Sequence, residues 1–254
     1  MIIKFMHKIL EEPLSKASDD QRINREELKK LFLKNPIKEN EILENLGLFL
    51  TSKNLARLIF FYEIYKKIVN TEGVIMEFGI RWGQSIALLA ALRGLYEPYN
   101  IKRKIIGFDI FDGFKENSLI DDNQYQKGSL KLPKDYETYI NSVMQCIEND
   151  NPVNNVKKFE IIKGDAPKTL TKYLKKETQT LISFAFFDLD TYEPTKKCLQ
   201  IIKPYLTKGS IIAFDELNCD FAKGITPALK ETFDISKLKI HRLPQISRIS
   251  YFEF

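Results

Sequence analysis

Val74-Ile75-Met76-Glu77-Phe78-Gly79-Ile80-Arg81-Trp82-Gly83-Gln84-Ser85 reads as a buried strand, a tight glycine turn and the start of a helix. Val74 to Met76 are apolar, which suits a strand covered on both faces. Ile86 to Leu92 are apolar and rich in strong helix formers. Gly79 and Gly83 allow backbone angles and close approaches that a Cβ would block. A strand entering a helix N-terminus through glycines is where α/β proteins hold charged small molecules. The competing reading is an ordinary connection with a surface Glu.

Outward from this stretch, the chain alternates. Strands are expected at 73–78, 104–109, 157–163, 181–188 and 209–215, with helices near 84–93, 166–176 and 192–206 between them. That order implies a parallel sheet with helices on both faces. A helix near 225–233 follows, then two β-rich runs, Lys237 to Leu243 and Ile246 to Phe254, joined at Pro244-Gln245. Runs so close together must pair antiparallel. Residues 1–70 are expected as a helical extension before a main domain at 71–254. Its helices are Arg22 to Leu33 and Leu55 to Val69, the second with Leu55, Leu58, Ile59, Tyr62 and Tyr65 on one side and Asn54 or Ser52 as its cap. The stretch 110–156 is long and polar, helical only over Tyr136 to Ile147, as lids and substrate loops, or else mobile linkers, are.

Bulk properties exclude more than they assign. The 254 residues carry 39 basic and 34 acidic side chains, a net charge of +5 spread along the chain. No basic stripe marks a nucleic-acid surface, and lysine-rich clusters such as Lys102-Arg103-Lys104 read as solvated faces. Cys146, Cys198 and Cys219 lack metal-ligand spacing and form no disulfide framework, which points to a reducing compartment. No run is apolar for the length of a membrane span, and the N-terminus lacks a signal-peptide core, so a cytoplasmic protein is expected.

Charge narrows the ligand. Glu77 ends the first strand facing the crevice, where a carboxylate repels pyrophosphate and attracts an ammonium or sulfonium. Arg81 stands where the dinucleotide fingerprint G-x-G-x-x-G needs its second glycine. S-adenosylmethionine (SAM) fits. Asp109, at the end of the second strand, is placed for ribose hydroxyls; Asp112 is a poorer candidate because Asp112-Gly113 reads as a turn. Asp165, after Lys163-Gly164, either meets the adenine amino group or caps the next helix. The fourth and fifth strands each end in acids, Asp188 with Asp190 and Asp215 with Glu216. Adjacent parallel strands bring those acids together, and packed carboxylates need a cation or protons. Oxygen-only ligands favour Mg²⁺.

With these motifs in view, residues 55 to 235 resemble the class I SAM-dependent methyltransferases, most closely the macrocin and aminocoumarin sugar O-methyltransferase type. The likeness rests on Glu77-x-Gly79-x-x-x-Gly83, Asp109-x-Phe111-x-Gly113, Asp188-x-Asp190-x-Tyr192-Glu193-x-Thr195, and Asp215-Glu216 after Gly209. It implies a Rossmann-like, mostly parallel seven-stranded sheet with a C-terminal antiparallel hairpin. It implies SAM at Glu77, Gly79, Gly83 and Asp109, with Ser85, Phe111, Gly164 and Asp165 completing the candidate set. It implies a divalent metal on Asp188, Asp215 and Glu216, and Asp190 as base toward a small-molecule hydroxyl. The family's paired Asp-Asp after the fifth strand is Asp215-Glu216 here, and Arg81-Trp82 reverses a more usual order. His7 and His241, the only histidines, fall outside this site. A homo-oligomer is compatible with this reading. Metal-independent methylation, a silent SAM-binding partner subunit and, more distantly, a nicotinamide oxidoreductase are the competing readings.

Overall fold

The computed structural model describes residues 17–115, 118–121 and 127–254, and the chain divides into two compact units between Leu55 and Ala56. His7 and the Asp122-Asn123 pair of the polar insertion lie outside the described residues. In the first unit, helix α1 (Asp19–Leu33) starts at a capping box in which Ser18 and Gln21 satisfy each other's backbone N–H. Short 3₁₀ helices follow at Glu39–Glu41 and Leu43–Phe49, and neither they nor α1 bury any residue. Helix α2 (Ser52–Ile68) begins in this unit. Its cap is Thr51, whose hydroxyl accepts from Asn54 N at 3.4 Å, rather than Ser52 or Asn54.

The second unit holds a seven-stranded sheet in the order β3-β2-β1-β4-β5-β7-β6. Strands β1 (Val74–Phe78), β2 (Ile105–Asp109), β3 (Phe159–Lys163), β4 (Ile182–Phe187) and β5 (Leu206–Asp215) pair in parallel. Strand β7 (Ile246–Glu253) runs antiparallel to β5 and to β6 (His241–Leu243), as the C-terminal pattern required. Between strands lie α3 (Gln84–Tyr96), α4 (Tyr136–Asp150), α5 (Ala166–Lys176), α6 (Tyr192–Ile202) and α7 (Ile225–Thr232). This is the Rossmann-like, mostly parallel seven-stranded sheet with a C-terminal antiparallel hairpin that the resemblance implies.

Side-chain alternation along β1 divides the core. Val74, Met76 and Phe78 pack on the face covered by α5, α6 and α7, while Ile75 packs with α2, α3 and α4. Glu77 therefore projects toward the α2–α3 layer. Stacked rings cross the sheet through Phe108, Phe78, Phe187, Phe214 and Phe252, with successive centroids 5.0, 4.7, 5.4 and 6.3 Å apart. These neighbours pin the register that aligns the strands' C-terminal ends.

Four further expectations change. Helix α2 buries Ala56, Phe60, Phe61, Ile64, Tyr65 and Ile68, whereas Leu55 and Tyr62 are exposed. Leu58 to Tyr62 is an unbroken apolar run that covers every face of one turn, so spacing alone did not select the inner face. Arg103 is buried, not solvated: it donates to the carbonyls of Gly73 and Ile68 and pairs with Glu97 at 2.9 Å. Helix α6 stops at Ile202 because Pro204 enters a 3₁₀ turn, Lys203–Tyr205, and β5 starts early at Leu206. Strand β6 is only three residues long, since Ile235–Lys237 forms another 3₁₀ turn.

Candidate active site

The C-terminal ends of β1, β2, β4 and β5 converge on one edge of the sheet, and the charged residues gather there. Gly79 (φ +88°) lies so close to β4 that a Cβ would sit 2.0 Å from the Asp188 carbonyl oxygen. Gly83 (φ +77°) lets α3 start against α4, where a Cβ would meet Ile140 Cδ1 at 2.3 Å. Both glycines are needed for close approach as well as for their left-handed backbone.

Glu77 is fully buried. Its Oε1 accepts a short hydrogen bond from the Ser85 hydroxyl in the first turn of α3. Its Oε2 is buried with no hydrogen-bond partner. Burial pushes this carboxyl up to about 8, although Ser85 and the Arg57 charge pull the other way. An orphaned buried acceptor beside a glycine turn fits a ligand bearing positive charge.

Asp109 ties two loops together. Its Oδ2 accepts from Arg81 N at 2.8 Å and its Oδ1 from Phe111 N at 2.6 Å. Arg81 (φ 45°) and Phe111 (φ 59°) both adopt left-handed backbone, and the carboxylate holds them there. Burial raises its pKa against the pull of those backbone donors. Asp165 accepts from Lys168 N at 3.4 Å as the cap of α5, next to Gly164 (φ +139°). Asp112 is exposed and pairs with Lys131 at 3.6 Å.

The four acids meet as expected. Asp188 and Asp190 follow β4, Asp215 ends β5, and Glu216 comes next; Asp190 (φ 58°) and Glu216 (φ 65°) are left-handed. Two guanidinium groups stand among them. Arg57 of α2 pairs through Nη2 with Asp188 Oδ2 at 3.2 Å and through Nη1 with Asp215 Oδ2 at 3.7 Å. Arg248 of β7 pairs with Asp215 Oδ2 at 3.0 Å and more closely with Glu216 Oε1. Asp215 Oδ1 is buried without a partner, and the Asp190 and Glu216 carboxyl groups are hydrogen-bonded to each other. Burial pushes Asp215 and Glu216 each up to about 7 and holds Asp190 well above the usual carboxylate range; the neighbouring acids add to this and Arg248 opposes it.

The expected Mg²⁺ set of Asp188, Asp215 and Glu216 is thus brought together but not arranged as a coordination shell. Guanidinium groups engage all three carboxylates. Among the described residues no three His, Cys, Asp or Glu side chains are placed to hold a metal ion. As they stand, these residues do not fit a divalent ion.

Several side chains at this edge escaped the sequence reading. Arg57 and Arg248 are the main two. Arg57 is part-buried one turn before Phe60 and Phe61 on α2, and nothing in its local sequence signals the acids it meets. Trp82 is half exposed in the glycine turn and meets Tyr136 edge-on at 5.1 Å, while the Tyr136 hydroxyl donates to the Trp82 carbonyl at 3.0 Å. Asp121, in the 3₁₀ turn Leu119–Asp121, accepts from Tyr192 N at 2.7 Å and so fastens the polar insertion to the start of α6. His241 stacks on Tyr251 at 5.2 Å in the C-terminal hairpin. Among the described residues no helix is long and apolar enough to cross a membrane.

A family model described as a methyltransferase domain matches residues 76–217. The fold is similar to the crystal structure of CalS11, a calicheamicin methyltransferase, with a TM-score of 0.91, 36% identity, and coverage of 94% of this chain and 95% of that one. An apo structure of CalS11, described as a TDP-rhamnose 3′-O-methyltransferase, matches with a TM-score of 0.85 and 34% identity over 95% of this chain and 97% of that one. The O-methyltransferase NovP shares the fold at a TM-score of 0.60 and 16% identity, over 78% of this chain and 79% of that one. Comparison of the sequence with curated proteins finds no match.

Proposed function

The chain belongs to the class I SAM-dependent methyltransferases, and from that premise we propose that it methylates a hydroxyl of a sugar or glycosylated metabolite. The observation that carries the cofactor assignment is the buried, unpartnered Glu77 Oε2 beside the Gly79–Gly83 turn. SAM supplies a methyl group on a positively charged sulfur, open to in-line displacement by an oxygen.

In this reading Glu77, oriented by Ser85, binds the cofactor's ammonium. Asp109 keeps lone pairs for the ribose hydroxyls while its carboxylate, accepting from the backbone N–H groups of Arg81 and Phe111, holds both in place. Gly79 and Gly83 clear the approach, and Gly164, Asp165 and Phe111 border the adenine. Asp190 accepts the proton of the attacking hydroxyl, and its raised pKa makes its carboxylate the stronger base. Asp188, clamped by Arg57, positions that base. Most of the acceleration comes from holding oxygen and methyl in line. With guanidinium groups on Asp188, Asp215 and Glu216, deprotonation is assigned to Asp190 alone.

The sugar acceptor is favoured by the likeness to CalS11 along nearly the whole chain. The test is calorimetric titration with SAM and S-adenosylhomocysteine. Transfer of labelled methyl to a panel of deoxyribonucleoside-diphosphate sugars and glycosides follows, with and without EDTA. Binding that Glu77→Gln leaves intact would refute the cofactor geometry. Binding of SAM with no transfer to any sugar hydroxyl would refute the acceptor class.

A further inference from the structure

Arg57 bridges two strands as a divalent ion would. Its two terminal nitrogens reach Asp188, just after β4, and Asp215, the last residue of β5, at 3.2 and 3.7 Å. Its guanidinium carbon lies 5.4 Å from the ring centroid of Phe186 and 5.6 Å from that of Phe61, which fixes the planar group over the acids. Asp215 Oδ2 is shared with Arg248 at 3.0 Å. Asp215 Oδ1 is buried with no partner, while Glu216 is hydrogen-bonded to Asp190. Asp215 therefore retains unused acceptor capacity while guanidinium groups engage its other oxygen.

We infer that Arg57 and a divalent cation exclude each other at Asp188 and Asp215, so that a metal ion enters only when the Arg57 bridge opens. A hard cation needs several oxygens converging at a short distance. Two of the nearest candidates here face a guanidinium. The planar fork of Arg57 engages oxygens of both acids at once, so those oxygens are not free to converge on a cation. This inference does not depend on the methyl acceptor or on turnover.

The test is Mn²⁺ binding to the full chain, followed through the loss of the free-ion electron paramagnetic resonance signal, for wild type, Arg57→Lys and Arg57→Met. Lysine keeps the positive charge but has no planar fork to span both acids. Exclusion by the bridge predicts that both variants bind Mn²⁺ at least about tenfold more tightly than wild type. Adding Asp215→Asn to Arg57→Lys should abolish the gain. Tightening in Arg57→Met alone would mean a through-space charge effect and would overturn the inference. So would equal affinity in all three proteins, or a gain that survives Asp215→Asn. If Arg57→Met does not fold by circular dichroism, Arg57→Lys decides the matter against wild type.

Discussion

Glu77→Gln tests the buried carboxyl on which the cofactor assignment rests. In the folded chain this group is pushed from 4.5 up to about 8 by burial. The folded state therefore binds a proton that the unfolded state releases between those two values. Stability from this group is fully present below the ordinary carboxyl range, falls as pH rises through about 8, and is level beyond. Within the window the slope is about 1.4 kcal/mol per pH unit, or ~3 kcal/mol between pH 5.5 and 7.5. Glutamine does not titrate, so the variant should lose that component. Urea unfolding of both proteins without cofactor, at several pH values across the window, reads it directly. The other raised acids, Asp190, Asp215 and Glu216, titrate in both proteins and largely cancel in the difference. The variant should gain on wild type steadily as pH rises, by roughly that slope. A difference independent of pH would refute the claim that Glu77 is held protonated in the empty site. The same substitution should weaken SAM by about 10- to 100-fold, the scale of a hydrogen bond to a charged group. Cofactor binding to wild type near neutral pH should also release a proton, visible as buffer-dependent binding enthalpy.

Asp190→Asn should lower kcat by about 100-fold or more while calorimetry shows SAM affinity unchanged; a small effect would remove Asp190 as the base. Gly79→Ala forces a Cβ to within 2.0 Å of the Asp188 carbonyl oxygen, so denaturant unfolding should show a loss of about 3 kcal/mol together with loss of cofactor binding. Glu148→Gln should cost ~3–5 kcal/mol, because Arg93 and Lys158, each 2.6 Å from Glu148 and almost wholly buried, would lose their shared counter-charge.

The order of strands and helices from β1 onward was legible in the chain because it follows from local periodicity and from glycine and proline positions. Glu77, Asp109, Asp188, Asp190, Asp215 and Glu216 were legible too, since an apolar run ending abruptly in an acid marks a strand's C-terminal edge. The fold brings those ends to one side of the sheet whatever the loops do. Charge compensation was not legible. Arg57 lies 131 residues before Asp188, and Arg248 reaches Asp215 only because β7 pairs with β5 beside it, setting Ile249 opposite Asp215. A lone basic residue in a sequence looks the same whether it faces water or an acid, as Arg103 also showed. Element order and the acids at the strand ends follow from the chain alone, because both are properties of neighbouring residues. The tertiary structure alone decided which face of α2 turns inward and that guanidinium groups, not a coordination shell, meet the acids, because packing and charge pairing act through space.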